Sequence, residues 1–188
     1  MLYNEILQGE QRAATHESGH ALACALDEHC TRVISISIER PTERSPRGET
    51  QIETRPSYTK NQLMAFLKFY LGSIVVEALF YNSVDQSGAV GDLYQATKIA
   101  ETYVCRFEIE MNPPPSVACN LRELCHNKDP DVHKRGGELL NKIQDQMLKF
   151  FDTEWVKNLV NKVSDRVLEK KMVKGPEFYE IVREFRGK

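Results

Sequence analysis

The sequence predicts a mainly α protein with a small β-sheet, an α+β fold, on three observations. Long proline-free stretches carry apolar residues at helical spacing, two short segments alternate as strands do, and Pro- or Gly-bearing clusters separate them. The 188 residues are 41% hydrophobic and 28% charged, with a net charge of -2, which is the balance of a globular chain able to form its own core. Nothing in that charge balance points to nucleic acid or an anionic membrane as a partner.

Residues 8–27 read as a first helix, without proline and rich in Ala and Leu. Gly19 inside it costs about 1 kcal/mol relative to Ala and calls for a reason, such as close approach of another segment. Residues 32–39 alternate as a half-buried strand, with Ile34, Ile36 and Ile38 on one side and Val33, Ser35 and Ser37 on the other. A polar, turn-rich stretch over 41–48 leads to residues 49–54, which alternate again and suit antiparallel pairing with the first strand. Pro56 ends that strand, and Ser57 or Thr59 caps a helix over 60–82. Its apolar run, 63–81, has the length of a membrane span. Lys68 and Glu77 lie inside that run, and each costs about 2.5–3.5 kcal/mol near a bilayer centre. The run is therefore read as a buried helix, with no membrane span expected.

A loop over 83–91 precedes a helix from Asp92 to about residue 111, stopped by Asn112-Pro113-Pro114-Pro115. A poorly patterned stretch to Gly137 divides the chain into residues 1–112 and 113–188, expected to pack as one compact unit. The second region is helical. Leu139, Leu140, Ile143, Met147, Phe150 and Phe151 form one apolar stripe, and Val156, Leu159, Val160, Val163 and Val167 another, with a break near Asp152-Thr153. Both stripes read as core or subunit packing, and the lysines and arginine between 157 and 174 as a solvated face. Gly175-Pro176 ends the second of these helices and opens a last one to Phe185. Five cysteines, at 24, 30, 105, 119 and 125, form no C-x-x-C pair. With no secretory leader, they suggest free thiols in a reducing, cytoplasmic setting. Cys119, Cys125 and His126 match the spacing of no usual zinc module.

The chemistry-bearing residues are His16-Glu17-Ser18-Gly19-His20, an H-E-x-x-H pattern. Residues four apart on a helix lie one above the other, about 6 Å along the axis. Two imidazoles so placed can grip one metal ion, with Glu17 over the same site as base for a metal-bound water. The competing reading is a surface helix carrying two unrelated histidines. Catalytic zinc takes three protein ligands and keeps a position open. His29 lies the wrong way along its helix, and His126 and His133 fall in the irregular stretch. Asp92 and Glu77 are the better candidates, and the residues by themselves leave both open, since an acid at a helix start is also an ordinary cap.

Six segments occur in order: His16-Glu-Ser-Gly-His-Ala-Leu22, Val33-Ile-Ser-Ile-Ser-Ile38, Gly48-Glu-Thr-Gln51, Leu71-Gly-Ser-Ile-Val-Val-Glu77, Ser87-Gly-Ala-Val-Gly-Asp-Leu-Tyr-Gln-Ala-Thr97 and Lys170-Lys-Met-Val-Lys-Gly-Pro-Glu-Phe178. They resemble HEAGHAL, a V-x-x-x-T-I-I strand, G-x-T, LGGRAAE, TGAxNDLxxAT and an E-T-L-x-G-E-E-I tail. Those are signatures of the FtsH-like zinc peptidase family, the proteolytic part of membrane-bound ATP-dependent proteases. The resemblance implies an HExxH zinc peptidase domain followed by C-terminal helices. It also implies His16, His20 and Asp92 as zinc ligands, Glu17 as general base, Glu77 as an acid beside the site, and assembly into homo-oligomeric rings.

Two positions depart from the family pattern. Ser73 stands at the second Gly of LGG, and Gly91 replaces the Asn before the ligand aspartate, which is expected to loosen Asp92. No G-x-x-x-x-G-K-[ST] occurs, so the expectation is a zinc metalloendopeptidase without its own ATPase. It would cleave unfolded or flexible polypeptides alone or with a separate unfoldase or ATPase. An inactive metal-binding regulatory or assembly module is the rival, and a hydrolase of small peptides or amides a third reading. Substrate is expected to lie along Glu49, Thr50, Gln51, Ile52, Glu53 and Thr54 by strand addition. Tyr58 and Tyr94 are candidates to assist the metal at the oxyanion.

Overall fold

Thr59 starts a long and largely buried helix. Its hydroxyl accepts from the Gln62 N–H at 3.3 Å, and Gln62 Oε1 accepts from the Thr59 N–H at 3.0 Å, a reciprocal cap that satisfies two donors at the helix end. The helix, α2 (Lys60–Tyr81), ends on Asn82 in the left-handed conformation, φ 50°. The computed structural model describes residues 2–39, 48–53, 58–107 and 130–187. The other elements are α1 (Leu2–Ala25), β1 (Val33–Ser37), β2 (Glu49–Ile52), α3 (Gln86–Phe107), α4 (Pro130–Phe151), α5 (Glu154–Lys170), β3 (Met172–Lys174) and α6 (Gly175–Arg186). The architecture is α+β, with α1, α3 and α4 packed on α2, and α5 on the far side of α1.

Among the described residues α2 is the one helix long and apolar enough to cross a membrane, yet most of it is buried inside the protein. Leu63, Leu67, Leu71, Val75 and Val76 fill the core. The two charges within its apolar run have partners: Lys68 Nζ meets Asp27 Oδ2 at 2.7 Å, and Glu77 is enclosed by groups described below. That is the buried-helix arrangement the charges suggested.

The sheet is antiparallel in the order β2-β1-β3. Pairing of β1 with β2 agrees with the expectation, but the assignment of faces does not. Register slips between Val33 and Ser35, so Val33, Ile36 and Ile38 are buried while Ile34 is 49% exposed. One extra residue in a strand turns the following side chains over, which simple alternation cannot foresee. β3 was not anticipated. Three residues carry little periodicity, and β3 exists because β1 offers it an edge.

Two boundaries also move. α3 begins at Gln86, so Asp92 lies in its second turn rather than at a helix start, and the connection from α2 shrinks to residues 82–85. α4 begins at Pro130, well before Gly137. Proline suits a first helical position, and Gly136 is buried where an added Cβ would meet Glu101 Cγ of α3 at 3.3 Å. The apolar stripes behave as core: Ile143, Met147, Phe151, Val156, Leu159, Val160, Val163 and Val167 are all buried. The break falls at Asp152–Thr153. Thr54, Pro56, Ser57, the turn over 41–47, Asn112–Pro115, Cys119, Cys125 and His126 lie outside the described residues.

Candidate metal centre

His16 and His20 project from one face of α1, with ring centroids 5.0 Å apart. Each ring is held from behind. His20 Nδ1 lies 2.8 Å from the Phe69 carbonyl oxygen, an acceptor only, so Nδ1 carries a proton and Nε2 is the nitrogen turned to the front of the site. His16 Nδ1 lies 2.6 Å from Glu77 Oε1, which has the same effect. Both Nε2 atoms then face one oxygen, Asp92 Oδ2, each at 3.1 Å. One ligand atom from each of the three residues falls within 4.8 Å of the others.

Three helices supply these groups, and their contact depends on missing side chains. A Cβ at Gly19 would lie 2.7 Å from the Gly72 carbonyl oxygen and 2.8 Å from Ser73 Cα, so α1 and α2 touch backbone to backbone. This is the close approach that Gly19 called for. Gly88 of α3 rests against His16, where a Cβ would stand 3.3 Å from Cε1. The third helix is fixed through Glu77. Its Oε2 accepts from Arg12 Nε and from the Asp85 N–H, both at 2.8 Å, and Arg12 also donates to the Ser83 carbonyl at 2.9 Å. The short turn before α3 is thereby tied to α1, one helical turn from His16.

Charge is concentrated here. Burial lowers the basicity of His16, but hydrogen bonds to Asp92 and Glu77 and the charge of Glu17 outweigh it, and its pKa is pushed up to about 10. Burial raises the Asp92 carboxyl, yet hydrogen bonds from His16 and His20 prevail and hold it far below the usual carboxylate range. Glu77 behaves likewise: burial opposes ionisation, and His16, the Asp85 N–H and Arg12 more than offset it. Glu17 differs. Burial pushes its carboxyl up, only partly countered by His20, His16 and the Thr50 hydroxyl. Thr50 Oγ1 lies 2.8 Å from Glu17 Oε2, and Gly48 comes so close that a Cβ would meet Oε1 at 2.6 Å.

The centre opens into a cleft of about 670 Å³ whose lining includes Arg12, Glu49, Thr50, Phe69 and Tyr70. Of the expected substrate strand, Glu49 and Thr50 reach the cleft. Gln51, Ile52 and Glu53 do not line it, and Ile52 packs against the core. Tyr58 meets Phe66 edge to face, ring centroids 4.7 Å apart, and Tyr94 stands 57% exposed under Lys98; neither lines the cleft, whereas Tyr70 does. His29 lies beside Asn61 and His133 beside Glu101, each away from the centre. Sequence reasoning missed Arg12, which its i−4 position to His16 could have flagged, and the Phe69 carbonyl, which has no sequence signal. It noticed Ser73 only as a departure, whereas Ser73 Oγ lies 2.9 Å from Asp92 Oδ2.

The model of peptidase family M41 matches residues 6–170 of this chain. The chain belongs to peptidase family M41. Among similar proteins are ATP-dependent zinc metalloprotease FtsH 1 of Methylacidiphilum infernorum, 37% identical over 100 residues, and FtsH 2 of Symbiobacterium thermophilum, 31% over 105. A third is the ATP-dependent zinc metalloprotease FtsH of Chlamydia trachomatis, 33% identical over 107 residues. These alignments take in 52%, 52% and 53% of the M41 chain and 15%, 17% and 11% of the relatives. The chain thus matches only a minor part of those proteins' length.

Proposed function

We propose that this M41 chain is a zinc-dependent endopeptidase that cleaves unfolded or flexible polypeptides. The observation that carries the reading is Glu17: a buried carboxyl with a raised pKa, beside the three convergent donors but not among them. A site that only holds an ion has no use for such a group, which argues against the inactive metal-binding module.

The donors suit zinc: two imidazole nitrogens with their other nitrogens engaged, and one carboxylate, three protein ligands beside an open cleft. Zinc held there by His16, His20 and Asp92 would supply Lewis acidity and a water acidic enough to react near neutral pH. Glu77 and the Phe69 carbonyl keep the imidazoles oriented. Glu17 accepts the proton of the attacking water and delivers it to the leaving amine, Thr50 fixing the carboxylate meanwhile. β2 is at the edge of the sheet, and its first residues border the cleft, so an extended chain can pair along it and present a peptide bond to Glu17. Since these 188 residues hold no phosphate-binding loop, folded substrates depend on an unfoldase or ATPase outside them, and flexible chains do not.

Digestion of a denatured protein with zinc, with chelator, and by Glu17→Gln tests this. Zinc-dependent cleavage into internal fragments is expected, with a loss of about 100- to 10,000-fold in the variant while its zinc content is unchanged. A wild type that binds zinc stoichiometrically and cleaves nothing would refute the enzyme in favour of the module.

A further inference from the structure

We infer that Ser73 is the positioning residue that holds Asp92 toward the two histidines. This inference rests on the metal-centre reading and adds to it a group that acts through Asp92. Ser73 is completely buried on α2, at the point where α1 presses closest, and its hydroxyl is aimed at α3. The Oγ lies 2.9 Å from Asp92 Oδ2 and 3.3 Å from the Tyr70 carbonyl. A hydroxyl has one proton to give, and the nearer, charged acceptor takes it.

The oxygen that Ser73 contacts is the one facing both Nε2 atoms. A carboxylate oxygen has two lone pairs, so donation from Ser73 fills one and leaves the other directed between the imidazoles. Among the described side chains of α3, none does this. Gly91, Leu93, Tyr94 and Gln95 are exposed, and a Cβ at Gly91 would meet no atom within 4 Å. Asp92 comes from a helix surface open to solvent, and a turn about χ1 would carry its carboxylate away from the histidines. The anchor that Gly91 does not provide comes from across the helix interface. Because Ser73 Cα is packed against Gly19, between the two histidines on α1, the hydroxyl's position is fixed relative to both rings.

The experiment measures Zn²⁺ affinity by competition with a chromophoric chelator, and the visible spectrum of the Co²⁺-loaded protein, for wild type, Ser73→Ala, Asp92→Ala and the double variant. Ser73→Ala is expected to weaken Zn²⁺ binding about 10- to 100-fold and to alter the Co²⁺ bands, as the carboxylate reorients. In the Asp92→Ala background the same change should cost nothing further, because its effect passes through Asp92. Affinity and spectrum unchanged in Ser73→Ala would overturn the inference. A loss of equal size in both backgrounds would also overturn it, showing general packing instead. If wild type binds neither ion, the metal centre itself fails, and that outcome is visible before any variant is compared.

Discussion

Gly19→Ala tests whether the site depends on the backbone contact between α1 and α2. The new Cβ would stand 2.7 Å from the Gly72 oxygen, 2.8 Å from Ser73 Cα and 2.9 Å from Gly72 C, all backbone atoms that cannot rotate aside. Ordinary contacts lie near 3.5 Å or more, so the helices must part by roughly 0.7 Å. Overpacking of this kind costs about 1–3 kcal/mol, and the better helix propensity of Ala offsets about 1 kcal/mol of it. At about 2–4 °C per kcal/mol for a chain of this size, the net loss lowers Tm by up to about 8 °C. The metal centre should suffer more. His16 and His20 ride on α1, and Glu77 and the Phe69 carbonyl on α2, with contacts of 2.6 and 2.8 Å that such a separation stretches toward the limit of a hydrogen bond. Loss of such supporting contacts weakens metal binding about 10- to 100-fold. Gly137→Ala is the control, since its Cβ meets nothing within 4 Å and should stabilise α4 by about 0.5–1 kcal/mol. Thermal melts and chelator competition on both variants decide it. If Gly19→Ala raises Tm as the control does and binds zinc as tightly as wild type, the close contact is not what shapes the site.

Glu77→Gln sets an amide N–H₂ against either His16 or the donors Arg12 and Asp85 N–H, leaving buried donors facing each other. A loss of about 1–3 kcal/mol in denaturant unfolding and zinc binding about 10- to 100-fold weaker are expected, and a dissociation constant equal to that of wild type would contradict the role given to Glu77. Thr50→Val removes the hydroxyl that helps keep Glu17 ionised. Burial then acts with less opposition and the Glu17 pKa rises. A base works only when ionised, so the acid limb of kcat/KM against pH should move to higher pH, with the alkaline limb in place. An unmoved acid limb would show that Glu17 does not set it.

Much of the site was legible because its first part is local. His16, Glu17 and His20 share a helix, and helix geometry alone puts their side chains together. The acidic partners were less so. Asp92 and Glu77 were both credible third donors, and they take different places: Asp92 at the front facing Nε2, Glu77 behind His16 at Nδ1. The family resemblance pointed the same way, but spacing could not, because both acids lie more than sixty positions from His16. The 83–91 segment, rich in Ser and Gly, read as a loop; most of it is helix, because Gly88 lets α3 lie against His16 and the Arg12–Glu77–Asp85 contacts fasten the start of that helix.

From the chain alone came what depends on near neighbours: the helices and their apolar stripes, a cap at Ser57 or Thr59, the pairing of two strands, and the imidazole pair with its adjacent carboxyl. Only the folded arrangement decided the bulge at β1, the added strand β3, the carbonyl behind His20 and the hydroxyl beside Asp92. Periodicity and capping arise from hydrogen bonds a few residues long, which any stretch of sequence displays. Contacts across helices follow from how closely backbones can approach, and that depends on residues far apart in the chain meeting at one point.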